Sequence, residues 1–499
     1  MDKQKLVQVG FAAQQAEPND REVCDMIDKA IYQVLGNAGL NSIIKKGDKV
    51  VIKVNVLGSD IGAYGDKGRG CNTDARITRY VAEKIREIIG TEGTADLKVI
   101  DTVFYPEANP SSKYNSKSFY WARLERTGDN SVDEGDVCYD SNADGYLDGT
   151  SVAKLVNLED PNLHRKTYSV KVKDSNDIIV SFPCFLRTKE EAEKSGLYPD
   201  EYCDIFIGLP IFKSHGLAGM TGAIKLHYGI RHGNYIDGDS GRLGHNGLYI
   251  DETGVHNKEG LYQYLCAQHL IRSYDFVIMD CLTGNRQGPL NNTGHIGENY
   301  FSDSPVDYIV TNAIMASKDS VAIDTVEAVL GGYDPRSIGL LEKAYENGLG
   351  TMDPSYIRVG ESNDFFKHRQ YLCNIYKDGR YPFPDGFGGA RVANRQNLGY
   401  EVNCIGAKKI SESKYVIGYK INRVNSKGTP IVRAELRING SLIDYKVIKS
   451  GEDFISDTNM FILDIEKYTY PKGYIIDIAV IIYDRLFNSK ESNEYLLKV

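Results

Sequence analysis

The sequence predicts an α/β domain, an open and mostly parallel sheet with helices on both faces and a long insert, followed by an antiparallel β-sandwich. Three observations carry this. Near-continuous apolar runs alternate with segments of helical spacing as far as Val359, a glycine-studded loop joins one such run to a helix, and the pattern changes after Asn394 to short alternating strands.

Leu6 to Gly10 reads as the first strand, and Arg21 to Leu35 carries apolar residues at helical spacing (Val23, Ile27, Ile31, Leu35). Val50 to Val56, VVIKVNV, is the near-continuous run of a parallel strand covered on both faces. Asn72-Thr73-Asp74 supplies N-cap candidates for a helix through about Ile89. Leu97 to Ile100 is the next strand, ending at Asp101. The alternation resumes at Ile205, again at Phe276 to Met279, and closes near Ile357 to Val359. The expected α/β domain is therefore 1–103 and 200–395, with an insert over 104–199 and the sandwich over 396–499. A chain of 499 residues is too long for one ordinary core, which agrees with several domains.

The most informative stretch is Gly208 to Gly229, GLPIFKSHGLAGMTGAIKLHYG. The apolar run Ile205 to Ile211 reads as a buried strand that stops at Lys213-Ser214-His215. Gly216, Gly219 and Gly222 then lead into a helix carrying Lys225 and His227. Strand, glycine loop and helix N-terminus together bind anions, because unpaired N–H groups and the positive end of the helix dipole point at one spot. Lys213 and Lys225 are the candidate cations, with Gly219, Thr221 and Gly222 lining the loop. Lys53 interrupts an apolar strand and Asn55 lies two residues on, on the same face, which adds both to the substrate-binding set.

This stretch resembles the core motif of the domain-of-unknown-function family numbered 362, in Pro210, Lys213, His215, Gly219, Thr221, Gly222, Lys225 and Gly229, with His227 where the family often has asparagine. VVIKVNV, Asn72-Thr73-Asp74, VIMDCLTGNRQGP (Val277 to Pro289), SVAIDTVEAVLGGYDP (Ser320 to Pro335) and LLEKAYENGLGTMDPSYIRVG fit in order, so the resemblance covers about residues 5–362. It implies a fold and a site but no established reaction. Family members often carry an iron–sulfur module. This chain has no closely spaced cysteine run, so no such cluster is expected, and no nucleotide-cofactor signature is evident.

Asp101 and Asp280 are read as ending apolar strands, where open α/β sheets bind ligands. The rim then gathers Asn55, Asp101, Lys213, His215 and Asp280, with Arg286 in the following polar loop as an anion clamp. Asp280 would orient a histidine, bind a metal or cap a turn. Asp324 reads as an N-cap or first-turn residue of its own helix. Cys71, near a helix N-terminus, is a nucleophile candidate without an identifiable base.

Seven of the nine histidines fall between His215 and His295. The clustering makes His215 and His227 candidates for a transition-metal site, although no recognised ligand spacing is present. The insert, rich in Ser, Asn, Asp and Tyr, holds Asp140-Ser-Asn142-Ala-Asp144-Gly-Tyr146-Leu-Asp148. This matches the first nine positions of a calcium loop, with Tyr146 offering its carbonyl. Position twelve is Ser151 rather than glutamate, so the alternative is a solvated acidic turn.

From Glu401 onward, short alternating runs punctuated by Asn439-Gly440 and Pro471-Lys472-Gly473 read as the β-sandwich. VRAELRINGSLI and YIIDIAVIIYDRLFNSKES resemble bacterial immunoglobulin-like or fibronectin-like modules, which implies association with the cell surface. A net charge of −9 and a pI near 5.6 argue against a nucleic-acid surface. No apolar run is long enough to span a membrane. Scattered cysteines read as reduced thiols, and the start has no signal-peptide core. The sandwich favours a protein outside the cytoplasm whose signal has been removed.

The functional expectation is an enzyme acting on a small anionic molecule, a carboxylate or phosphate. Lys213 and Lys225 hold the anion, His215 serves as general acid or base, and Asp280 orients it or a metal. Two alternatives stay open. One is a non-catalytic, exported solute-binding or surface protein. The other is a racemase- or isomerase-like enzyme, because Asn72 to Arg79 is similar to a motif of the nickel-pincer lactate racemase family.

Overall fold

A computed structural model describes residues 5–55, 72–101, 152–158, 162–230, 258–286, 308–361, 364–375, 381–393, 398–425, 429–448, 459–468, 470–471 and 473–499. The chain divides into two compact units. One comprises residues 7–352 and 359–392, the other residues 1–6, 353–358 and 393–499.

The larger unit runs β1 (Val7–Ala13), α1 (Asp20–Leu35), β2 (Lys49–Val54), α2 (Ala75–Ile89), β3 (Asp96–Asp101), β4 (Lys154–Asn157), β5 (Arg165–Lys171), β6 (Asp177–Pro183) and α3 (Lys189–Ser195). It continues with β7 (Ile205–Leu209), β8 (Ile211–His215), β9 (Gly219–Met220), α4 (Gly222–Leu226), α5 (Lys258–Ile271), β10 (Phe276–Asn285), β11 (Tyr308–Ser317), α6 (Ser320–Gly331) and α7 (Gly339–Glu346). The short strand β12 (Ile357–Val359) straddles the boundary between the units in the chain, and helix α8 (Asp364–Ile375) follows in the larger one.

The sheet order is β1-β11-β10-β7-β2-β3-β4. Pairing is parallel from β10 through β7, β2 and β3 to β4, and antiparallel where β11 joins β10 and β1. The sheet is thus mixed and mostly parallel. Its strand β4 comes from the part of the chain expected to be an insert: Lys154–Asn157 pairs in parallel with β3, and β5 and β6 form a hairpin.

The sequence reasons for these elements are local. Asn19 and Glu22 form a reciprocal capping box at the start of α1, whose buried stripe is Val23, Met26, Ile27, Ala30 and Ile31. Asp74 caps α2 through the amide of Arg76. Val50, Ile52 and Val54 of β2, Ile207 and Leu209 of β7 and Phe276 and Ile278 of β10 share one core with α1 and α2. Each such side chain stabilises the fold by roughly 1.5–3 kcal/mol when removed from water. The two-residue period of a strand then turns Val51, Lys53, Phe206 and Met279 to the opposite face.

The smaller unit holds two antiparallel sheets. The first is β13 (Tyr400–Lys409), β14 (Lys414–Arg423) and β17 (Asn459–Asp464). The second is β16 (Ser441–Val447), β15 (Ile431–Ile438), β18 (Ile475–Asp484) and β19 (Ser489–Glu491), with β20 (Tyr495–Lys498) also on β18. Ile417, Tyr419 and Leu463 from one sheet and Leu436, Ile478 and Val480 from the other share a single core, which makes this a β-sandwich. Buried charge is matched inside it. Glu435 bridges Arg433 and Arg437 at 3.0 Å each, and Arg433 also donates to the carbonyls of Pro354, Ser355 and Ile357.

Candidate functional site

The strand that begins at Ile205 does not stop at Lys213. It breaks at Pro210, which has no N–H to give a neighbour, while the Pro210 carbonyl accepts from the Asp280 amide at 2.8 Å. The chain resumes as β8, held in parallel by β10 and antiparallel by β9, and Lys213 and His215 both lie within this strand. They are 1% and 6% exposed. Two-residue spacing puts them on one face and Ser214 on the other, where its hydroxyl donates to the Arg286 carbonyl. The His215 ring turns back on its own chain, and its Nδ1 accepts the amides of Leu217 at 3.1 Å and Ala218 at 3.2 Å.

The helix after the glycine loop is short, and its N-terminal amides are already in use. Ala223 and Ile224 donate to the two oxygens of Asp324 at 2.6 and 2.9 Å. Asp324 is not a cap of its own helix: Asp319 fills that position by accepting from Ala322, and Asp324 sits five residues into α6. Burial pushes its carboxyl up to about 8, against the pull of those two amides. Glu327, one turn further on and fully buried, is also raised, by burial and by Asp324, while the charge of Lys213 opposes the shift. Thr221, with a buried hydroxyl that has no hydrogen-bond partner among the described residues, gives its amide to the Lys213 carbonyl at 2.8 Å.

Lys53 has a packing partner that its strand alone does not reveal. Its Nζ lies 2.6 Å from Asp101 Oδ1 and donates to the Val54 carbonyl at 2.6 Å, inside the protein. Burial lowers the lysine's pKa and Asp101 works against that. Gly229 closes over the pair, for a Cβ there would stand 2.6 Å from both Asp101 Oδ1 and Lys53 Nζ.

His227 lies just past α4, where it opens the 3-10 turn His227–Ile230. Its ring stacks on His269 at 3.6 Å between centroids and meets Tyr274 edge-on at 4.5 Å. Neither ring nitrogen of His227 has a hydrogen-bond partner among the described residues, whereas His269 Nε2 pairs with the Ile224 carbonyl at 3.0 Å. Burial holds both imidazoles neutral, His269 down to about 4 and His227 well below the usual value.

Asp280 lies in the middle of β10 rather than at the end of a strand, because the ladder with β11 continues past it to Asn285. Its Oδ2 accepts from the Asp74 amide at 2.8 Å and its Oδ1 from the Leu282 amide at 2.9 Å, so it braces the entry to α2. Burial, then Asp74, raises it to about 7. Asn55 exchanges backbone and side-chain hydrogen bonds with Thr73 at the end of β2. Lys225 is half-buried, its Nζ 5.3 Å from the centre of the Tyr228 ring. Gly219 sits in β9. Arg286 follows β10 and is half-buried.

Among the described residues no group of three or more His, Cys, Asp or Glu side chains is placed to hold a metal ion. His227 is packed face to face on a second imidazole, and His215 accepts two amides at Nδ1. The calcium-like loop Asp140 to Asp148 and Cys71 lie outside the described residues. A cleft of about 330 Å³ between α1, the turn after it and α2, lined by Asp28, Tyr32, Lys84 and Glu87, contains none of the candidate residues.

Sequence reasoning passed over Glu327, His269 and Tyr274. A signal existed for Glu327: it and Asp324 are the two acidic residues, three apart, on the otherwise apolar helix SVAIDTVEAVLG. His269 enters only through the packing of α5 against α4 and the turn after it, and Tyr274 through the turn before β10 against Phe206 of β7.

Residues 198–328 match the model of a family described as Domain of unknown function (DUF362), a narrower span than the motifs cover. No curated protein matches the chain. Among solved structures, the lactate racemase apoprotein from Thermoanaerobacterium thermosaccharolyticum is 12% identical and covers 65% of this chain and 57% of its own, with a TM-score of 0.31. The Clostridium perfringens spore cortex lytic enzyme SleM is 18% identical over 20% of this chain and 28% of its own, with a TM-score of 0.16. The fibronectin(III)-like modules of Clostridium thermocellum CbhA are 14% identical over 20% of this chain and 45% of theirs, at 0.14. This chain spans less than two thirds of each. Likenesses at such scores carry no function across.

Proposed function

We propose that the α/β unit is an enzyme acting on a small anionic molecule, a carboxylate or phosphate, held by Lys213 and Lys225 beside His215. The observation that carries this reading is the placement of Lys213 and His215. They share one face of β8, just beyond the carboxyl end of the parallel strand β7, the edge at which open α/β sheets take ligands. A lysine 1% exposed is costly to keep charged in the interior, and the charge of Lys213 opposes the rise that burial imposes on Glu327.

The reading rests on side-chain cations rather than on the amides of α4, since Asp324 occupies those. Thr221 and Gly219 position the turn, and Asn55 and Arg286 complete the rim.

Calorimetric titration of the full chain with inorganic phosphate and with acetate tests the reading. Lys225→Ala is expected to weaken the bound anion roughly tenfold, the worth of one hydrogen bond to a charged group. Affinity and turnover both unchanged in that variant would sink it. Binding without turnover of any small acid or phosphate ester would favour the non-catalytic, solute-binding alternative.

A further inference from the structure

Thr221 stands at the N-cap of α4, the position from which a threonine hydroxyl ordinarily accepts an amide of the first turn. Here the side chain caps nothing. The amides of Ala223 and Ile224 donate instead to Asp324, about a hundred positions away in the chain, at 2.6 and 2.9 Å. The carboxylate thus relieves Thr221 of the capping role. Its hydroxyl, in a residue 2% exposed, has no hydrogen-bond partner among the described residues, a state that costs free energy in the interior. The hairpin of β8 and β9 fixes the side on which this residue lies. His215 pairs with Gly219 and Ser214 with Met220, and the Thr221 amide continues the ladder by donating to the Lys213 carbonyl at 2.8 Å. Thr221 is therefore the residue opposite Lys213. Opposed residues of an antiparallel pair carry their β-carbons on one face, about 4.5–5.5 Å apart, and that face is the one Lys213 shares with His215. The hairpin is also closely packed from outside: a Cβ on Gly388 would stand 2.6 Å from the Gly219 nitrogen.

We propose that the Thr221 hydroxyl donates to an oxygen of the bound anion beside Lys213, and that Asp324, by taking the amides of α4, frees it to do so. The inference rests on the anion-site reading above and deepens it, since Thr221 then touches the ligand as well as shaping the turn. Asp324 is a positioning residue, acting through α4 and Thr221 and not on the ligand itself. A hydroxyl both donates and accepts, whereas an ammonium only donates. Thr221 therefore suits an anion that keeps a proton, such as hydrogen phosphate, as well as a carboxylate.

The test titrates the full chain with inorganic phosphate in a calorimeter, comparing wild type with Thr221→Val and Thr221→Ser, and records the melting transition of each. Valine keeps the branched shape and removes the hydroxyl, and serine keeps the hydroxyl. Thr221→Val is expected to melt no lower than wild type, because no bond within the protein is lost, and to bind phosphate roughly tenfold more weakly. Thr221→Ser should keep the wild-type affinity. In an Asp324→Asn background, where one amide of α4 loses its carboxylate oxygen, the Thr221 hydroxyl can cap. There Thr221→Val should lower the melting transition, and strict additivity of the two substitutions overturns the part assigned to Asp324. A lower transition in Thr221→Val alone overturns the proposal, since the hydroxyl would then be bonded within the protein. So does unchanged phosphate affinity in Thr221→Val while Lys225→Ala still weakens binding, an outcome that leaves the anion reading standing. A wild-type chain that binds neither phosphate nor acetate sinks the anion reading and this proposal with it.

Discussion

The carboxylate of Asp324 occupies the space that a side chain on Gly222 would need: a Cβ at position 222 would stand 2.5 Å from Oδ2 and 2.7 Å from Oδ1. The glycine that looks like part of a ligand cradle thus makes room for an internal carboxylate, and its φ of +54° is open to few other residues. Gly222→Ala is expected to destabilise the α/β unit by about 2 kcal/mol or more, from the collision and the left-handed backbone together. Asp324→Ala should cost about 1–3 kcal/mol by stranding the amides of Ala223 and Ile224. Urea unfolding of both variants checks the pair, and a wild-type midpoint in Gly222→Ala would contradict the contact.

The raised carboxyl of Asp324 makes stability depend on pH in a stated direction. Its folded value of about 8 lies above the unfolded value near 4. The stabilisation is therefore fully present below about pH 4 and is lost as pH rises through about 8, because the unfolded chain gives up its proton first. Asp324→Asn should make the fall in stability with rising pH shallower by ~1.4 kcal/mol per pH unit between those limits. Comparing variant with wild type isolates this group from His269, which acts the opposite way, losing its contribution as pH falls below about 6.5. Denaturant midpoints measured at a series of pH values read the slope, and identical slopes would refute the assignment.

Lys53 and Asp101 form a buried pair at 2.6 Å, 1% and 5% exposed. Lys53→Met leaves a carboxylate in the interior without its cation, and a loss of about 3–5 kcal/mol is expected. Adding Asp101→Asn removes the stranded charge and should recover much of that loss. The double-mutant cycle, read by chemical unfolding, distinguishes a coupled pair from two independent side chains. A coupling near zero would assign Lys53 to another partner.

Much of the scaffold was legible from residues alone. The apolar spacing of α1, the cap at Asp74 and the apolar runs of β2, β3 and β7 are local signals, and the structure realises them within a residue or two. The site was legible as a neighbourhood but not as a set of partners. The run from Ile205 pointed to Lys213 and His215, yet it did not show that Pro210 breaks the strand and that β8 continues to His215. Asp280 looked like a strand end because β11, the partner that carries β10 onward to Asn285, is distant in sequence.

The sequence by itself determined the class of each unit, since a strand's two-residue period and a helix's cap depend on residues only a few positions apart. It also determined which lysines and histidines lie beside the glycine loop. Only the tertiary structure decided what those groups face. Asp324 reaches the amides of α4 across about a hundred positions of chain, and Asp101 meets Lys53 across nearly fifty. His227 stacks on a histidine from another helix. Buried polar groups must find partners wherever the packed chain offers them, and no local pattern records where that will be.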